Sequence, residues 1–415
     1  MADNQTQQRD QDVITYESFA GLRNDVTPER FTAADLAVAV NIDIDKSGRI
    51  ARRAGYTSVY GPSSVHSLWA DDAGQTCLFA QGAQLMQLAT NYTAQQIAAL
   101  KGVGVPMSYA EVSERIYYTN GIDAGILAGG VTRTWGLAVP PLPEPTLAVG
   151  NMPRGKYQFV LTYMRNDGQE SGAPLAGMID VPAGGGLTFE LPVPTDPSVI
   201  SKILYLSTPN SDVLYVAEVL DARNVVTYYG DDTSEFNTPL NLQFYGPPPL
   251  GQLIAYYRGR LFVAVGDTLY YSEGFGYELF DLRKYIPLDG RITLLAPLTD
   301  REMYDNGKNS GLFIGTDSSC GSLIGGSPED FQYVPKVNYG AVEGSLAYVD
   351  GSLIADGAQG ARMLPYWLTA QGICCGMPEL SIRNLTRTKY SFPVSGRGAA
   401  LFMPGPNRFI VSNNL

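Results

Sequence analysis

Short apolar runs that meet a tight turn and then run apolar again recur six times along the chain. They lie at 78–89 (LFAQGAQLMQLA), 116–127 (IYYTNGIDAGIL), 261–273 (LFVAVGDTLYYSE), 312–326 (LFIGTDSSCGSLIGG), 352–367 (SLIADGAQGARMLPYW) and 400–413 (ALFMPGPNRFIVSN). β-formers flanking a turn of Gly, Asp or Asn predict a β-hairpin at each. The starts are 38, 145, 51, 40 and 48 residues apart, and setting aside the 104 residues of 143–246 reduces the 145 to 41. All five spacings then fall near the roughly 40–50 residues that one four-stranded propeller blade occupies. The pattern predicts an all-β chain, a propeller of about six short blades.

The set-aside stretch has a grammar of its own. Pro-rich joints bracket it, VPPLPEP at 139–145 and GPPP at 246–249, and such runs make stiff connections. Between them 156–163 alternates, Asn166-Asp167-Gly168 turns the chain, and apolar runs follow at 187–191, 203–206, 214–219 and 225–229. Six or seven short strands over about a hundred residues predict an immunoglobulin-like or fibronectin-III-like β-sandwich inserted between two blades. Before the first blade, 38–45 (VAVNIDID) alternates, Lys46-Ser47-Gly48 turns it and 49–56 returns, a hairpin placed to close the ring. Helical turns are expected only around 28–38 and 94–100. The domain plan is a disordered arm at 1–12, propeller at 13–142, sandwich at 143–246 and propeller again at 247–415.

Composition agrees with many short strands: 45 Gly, 27 Pro and 26 Tyr in 415 residues, with 17% charged. The net charge of −12 argues against gripping nucleic acid by phosphate neutralisation. It suits both plain solubility and a wall past which DNA slides without sticking. No apolar run of 18 residues is present, and 1–12 (MADNQTQQRDQD) has no apolar segment of the kind a secretory leader carries. Cys77, Cys320, Cys374 and Cys375 form no CxxC pair and are expected as buried free thiols in a reducing compartment.

Candidate chemistry is sparse. His66 is the one histidine, so a Ser-His-Asp triad or a multi-His metal site would have to pass through it; its alternating strand context reads as ordinary. No GxSxG, HExxH, Walker A or dinucleotide fingerprint is found. The adjacent acids Asp71-Asp72, Asp231-Asp232 and Glu329-Asp330 sit in turn-like contexts. Asp43, Asp45 and Ser47 have the spacing of an EF-hand start, but Lys46 intrudes and no glutamate follows at position twelve. Arg49, Arg52 and Arg53 read as a solvated or subunit-contact face. Tyr117-Tyr118, Tyr256-Tyr257 and Tyr270-Tyr271 read as packing. The sequence therefore assigns no catalytic, cofactor or metal residue and predicts no enzyme.

One resemblance stands on particular residues: Phe19-Ala20-Gly21-Leu22, Val40-Asn41-Ile42-Asp43, and Gly48-Arg49-Ile50-Ala51-Arg52-Arg53-Ala54-Gly55-Tyr56. This pattern resembles the start of tail nozzle or hub proteins of short-tailed bacteriophages. The segments 261–280 and 310–331 resemble the family's blade hairpins, and 155–174 resembles the opening of its inserted immunoglobulin-like domain. The resemblance implies a virion protein, made in the host bacterial cytoplasm, six copies of which form a cyclic ring below the portal and adaptor proteins. Genome DNA would exit through that ring without sequence-specific binding, and fibres or spikes would attach to it. Stable membrane insertion is not expected. Two rivals come from other classes: an extracellular carbohydrate-binding or glycoside-hydrolysing propeller, and a WD40-type interaction hub, whose Gly-His…Trp-Asp signature does not recur.

Overall fold

A computed structural model describes residues 16–71, 73–221, 223–230, 237–298, 311–353, 363–393 and 396–413. The expected arm at 1–12 lies outside them. The fold is all-β: five four-stranded antiparallel sheets, each a simple meander, follow one another as blades. Blade 1 comprises Val65–Ala70, Cys77–Gln81, Gln84–Leu88 and Ala94–Ala99; blade 2 comprises Ser108–Val112, Arg115–Thr119, Ala124–Ala128 and Val131–Arg133. Blade 3 is built from Leu253–Tyr257, Arg260–Val265, Thr268–Glu273 and Gly276–Pro287, and blade 4 from Ile292–Leu298, Gly311–Thr316, Cys320–Ile324 and Gln332–Val337. Blade 5 holds Ala347–Asp350, Met363–Thr369, Gly372–Gly376 and Ile382–Asn384. Outside the blades lie two lone hairpins, Ile42–Ile44 with Ile50–Arg52 and Ala399–Met403 with Arg408–Ser412, and a short parallel pair, Gly21–Leu22 with Asp35–Leu36.

Continuous apolar runs such as LFVAV within Arg260–Val265 are buried almost throughout because a blade is covered on both faces by its neighbours. The core accordingly lies between blades. Trp135, Tyr117 and Phe280 pack blade 2 on blade 3, Phe262, Leu295 and Ile314 pack blade 3 on blade 4, and Phe313 and Trp367 join blade 4 to blade 5. Polar stitches follow the same seams: Thr119 donates to the Gly251 carbonyl at 2.7 Å and Thr293 to the Ala341 carbonyl at 2.8 Å.

Four of the six hairpins are the middle hairpins of blades 1 to 4, and 400–413 is the hairpin of the chain's end. At 352–367 the expectation is corrected. Gly351–Leu353 is a 3-10 turn, the preceding arm is Ala347–Asp350, and the middle hairpin of blade 5 is Met363–Thr369 with Gly372–Gly376; residues 354–362 lie outside the described part. The helical turn expected at 94–100 is the strand Ala94–Ala99, paired to Gln84–Leu88. Alanine and glutamine favour a helix, but the open edge of a blade rewards pairing more. The turn at Pro28–Arg30 is present as 3-10 helix. The strand expected from 38 begins only at Ile42, leaving Val38 and Val40 exposed.

Seven strands fall within 143–246: Glu144–Met152, Gly155–Arg165, Gly177–Val181, Gly185–Glu190, Val199–Ser207, Leu214–Leu220 and Val225–Tyr228. The first, fourth and seventh form one sheet; the third, second, fifth and sixth form the other. Tyr157, Phe159, Leu161, Leu187, Phe189 and Leu204 meet between them as one core, which makes a sandwich. Its strand order departs from the immunoglobulin one, in which first, second, fifth and fourth strands face third, sixth and seventh. The two ends of the stretch lie side by side: a Cβ on Gly136 would stand 2.9 Å from the Pro247 Cα.

Candidate functional site

The residues that carry the family resemblance form a clasp between the two ends of the chain. Asp43 accepts from Arg53 at 3.1 Å and from Arg408 at 3.0 Å, so the Asn-Ile-Asp and Arg-x-Gly-Tyr elements grip the C-terminal hairpin through one carboxylate. Gly48 sits at φ +78°, a conformation L side chains rarely adopt, and a Cβ there would lie 2.6 Å from the Ser18 Cβ. That close approach lets the Phe19 amide donate to the Gly48 carbonyl at 2.9 Å. Further along, the Asn24 side chain both donates to the Ser391 carbonyl and accepts from its amide, each at 2.8 Å. The spacing that resembled a calcium loop is thereby explained, because Asp45 accepts from the Ser47 and Arg49 amides as a turn residue. Of the arginine cluster, Arg53 is spent on Asp43.

A second constellation joins the sandwich to the propeller. Arg165, at the end of the second sandwich strand, and Glu278, on the outer strand of blade 3, are both almost wholly buried. Arg165 Nη2 reaches both Glu278 oxygens at 2.7 Å, and its Nε reaches Asp167 Oδ1 at 3.0 Å. Arg165 Nη1 donates to the Thr134 carbonyl at 3.2 Å, and the Gly136 amide donates to Glu278 Oε2 at 3.1 Å. Arg133 Nη1 meets Asp167 Oδ2 at 2.9 Å and Arg115 Nη1 meets Glu278 Oε1 at 3.4 Å. Burial pushes the Asp167 carboxyl up, but Arg165, the Gln169 amide and Arg133 pull harder, so it lies below its ordinary value. The effect is a fixed mount: a buried charge with this many partners cannot leave without stranding the others. In the sequence, Asp167 was legible only as a turn residue and Glu278 only as part of the 261–280 segment.

His66 lies on the first strand of blade 1, with Nδ1 2.9 Å from the hydroxyl of Ser67. Ser67 interrupts the register as a bulge at φ +56° and accepts from the Met107 amide at 2.8 Å. The pair lacks the third group that orients a triad: Nε2 is buried with no partner among the described residues. Burial draws the imidazole pKa down, keeping it neutral. Cys320, Cys374 and Cys375 are buried free thiols, with Cys374 and Cys375 opposite Trp367 and Tyr366. Burial pushes both Cys320 and Cys375 up to about 12, away from reactivity. Asp72, Asp231 and Asp232 lie outside the described residues.

Tyr245, Arg260, Glu273, Asp281, Lys284 and Glu329 line a polar cleft of about 50 Å³. Glu273 is raised by burial but lowered more by the Tyr245 hydroxyl, the Gly274 amide and Arg260; Asp281 is lowered chiefly by Arg283. Glu329, the third carboxyl of the cleft, also lies below its ordinary value.

No family model matches the chain, and no curated protein does. Among solved structures it is similar to BBS1N in complex with ARL6DN, at 12% identity and a TM-score of 0.30, covering 83% of this chain and 86% of that one. Apo AztD from Citrobacter koseri aligns at 12% identity and a TM-score of 0.26, over 84% and 90% of the two chains. The extracellular domain of BT4673 from B. thetaiotaomicron aligns at 10% identity and a TM-score of 0.23, over 89% of this chain and 61% of that one. The propeller assignment rests on the sheets themselves.

Proposed function

We propose that this chain is a structural, non-enzymatic subunit of a short-tailed bacteriophage tail. Copies of it form the ring-shaped nozzle or hub below the portal and adaptor proteins, the conduit for exiting DNA and the seat of fibres or spikes. The observation that carries this reading is the clasp: Asp43, held by Arg53 within the resembling pattern, fastens the chain's two ends together through Arg408. A pattern that ties the chain's two ends together is what a load-carrying subunit needs. The buried mount of the sandwich supports the same reading, since it makes insert and propeller one stiff body. Net charge of −12 is compatible with a lumen that does not hold DNA back.

The test is reconstitution. Purified chain mixed with the phage's assembled portal–adaptor complex should add to it as a closed cyclic ring, read by mass and by image class averages. Failure to associate with that complex under conditions where both are folded counts against the proposal.

A further inference from the structure

Register places three hydrogen-bond donors on one face of blade 2. Arg115 and Tyr117 are two residues apart on one strand; Tyr117 stands opposite Ile126, and Ile126 opposite Arg133. Strand alternation then turns Arg115, Tyr117 and Arg133 to the same side. Arg165 and Asp167 of the sandwich and Glu278 of blade 3 close on that side. The group holds three guanidiniums against two carboxylates.

Both carboxylates are already engaged. Glu278 accepts from Arg165, Arg115 and the Gly136 amide, while Asp167 accepts from Arg165, Arg133 and the Gln169 amide. Arg133 Nε and the Tyr117 hydroxyl are left over: both are buried, and although Arg115 stands against the hydroxyl, neither has an acceptor among the described residues. The Tyr117 ring is sealed by Trp135 and Tyr277 at 5.4 and 6.3 Å. Its hydroxyl feels Glu278, Arg115 and Arg133, and burial pushes the phenol up to about 12, so it remains a donor at neutral pH. The Arg115 guanidinium beside it is also only a donor. Arg115 carries the cluster to the surface, its side chain 34% exposed. Buried donors lacking an acceptor, among three guanidiniums paired directly with two carboxylates and with Asp196 as the further acid that Arg165 feels, favour an acceptor that carries negative charge.

We propose that this cluster binds an oxyanion of the carboxylate or phosphate class, held by the Tyr117 hydroxyl, Arg133 Nε and the Arg115 guanidinium. Guanidinium geometry suits such oxygens, and the site lies where occupation would brace blade 2 against the sandwich mount. One chemistry has two sources: a free inorganic anion, or an acidic side chain presented by a neighbouring protein.

The full-length chain is titrated with sodium phosphate, and separately with sodium acetate, against sodium chloride at constant ionic strength, following its thermal midpoint. The expected result is a saturable, single-site rise with at least one of the two. Tyr117→Phe and Arg133→Lys should each weaken it by about tenfold or more, as loss of a charge-assisted bond implies. Without added oxyanion, Tyr117→Phe should unfold no earlier than wild type, because it has lost only a donor that had no acceptor. Saturation by phosphate alone assigns a free inorganic anion, by acetate alone an acidic side chain, and by both a site open to either source. No saturable rise in wild type, or a rise that both variants retain in full, overturns the proposal.

Discussion

Arg165 and Glu278 show how unequal single residues are in this molecule. Each is buried against the other, so removing one strands a charge in a low-dielectric space. Glu278→Ala is expected to cost about 3–5 kcal/mol in a denaturant titration. The double change Arg165→Met with Glu278→Leu should cost less than Glu278→Ala alone, because it removes both buried charges together. Equal or additive losses would show that the pair is not coupled. Acid should act on the same mount. Asp167 lies below its ordinary value of 3.8 in the folded chain, so the unfolded chain binds its proton first as pH falls. Its contribution is therefore fully present above about pH 4–5 and is lost as pH drops through the folded value. Thermal midpoints should be nearly flat from pH 7 to 5 and fall below about 4, and Asp167→Asn should flatten part of that fall.

Among the elements, the hairpin period was legible because blades are buried on both faces and so write long apolar runs. Leu78–Phe79–Ala80 and Leu261–Phe262–Val263–Ala264 are buried to the last residue. What escaped were elements whose environment outweighs their own preference. Ala94–Ala99 reads as helix and is an edge strand, and the first sandwich strand, Glu144–Met152, starts at the end of the Pro-rich joint and runs through residues given no strand. The junction was invisible for another reason: Arg115, Arg133, Arg165, Asp167 and Glu278 come from three separate stretches, and no local spacing announces them. The clasp was half legible, since Asp43 and Arg53 belong to one pattern but Arg408 lies far away in sequence. Because Gly136 and Pro247 touch across the base of the insert, residues 140–245 can be replaced by a short Gly-Ser linker. The resulting propeller should keep its β circular dichroism yet melt lower, with Glu278→Gln restoring part of the loss by removing the stranded charge. A chain that aggregates, with no β signal, would show that the blades need the insert to fold.

At the scale of the whole molecule, the clasped ends, the buried mount and the acidic surface describe a stiff body suited to assembly. A protein at −12 should bind double-stranded DNA only weakly at physiological salt, since it has little clustered positive charge with which to release counterions. Tight binding that falls steeply with added salt would contradict that. The central proposal concerns place, namely that this chain forms a closed ring at the distal end of a short phage tail. The most direct measurement is electron microscopy of the mature particle carrying a label on this chain. The account predicts a ring of label on the tail axis, below the adaptor. Label spread over the capsid shell, or a particle that lacks the chain altogether, would contradict it.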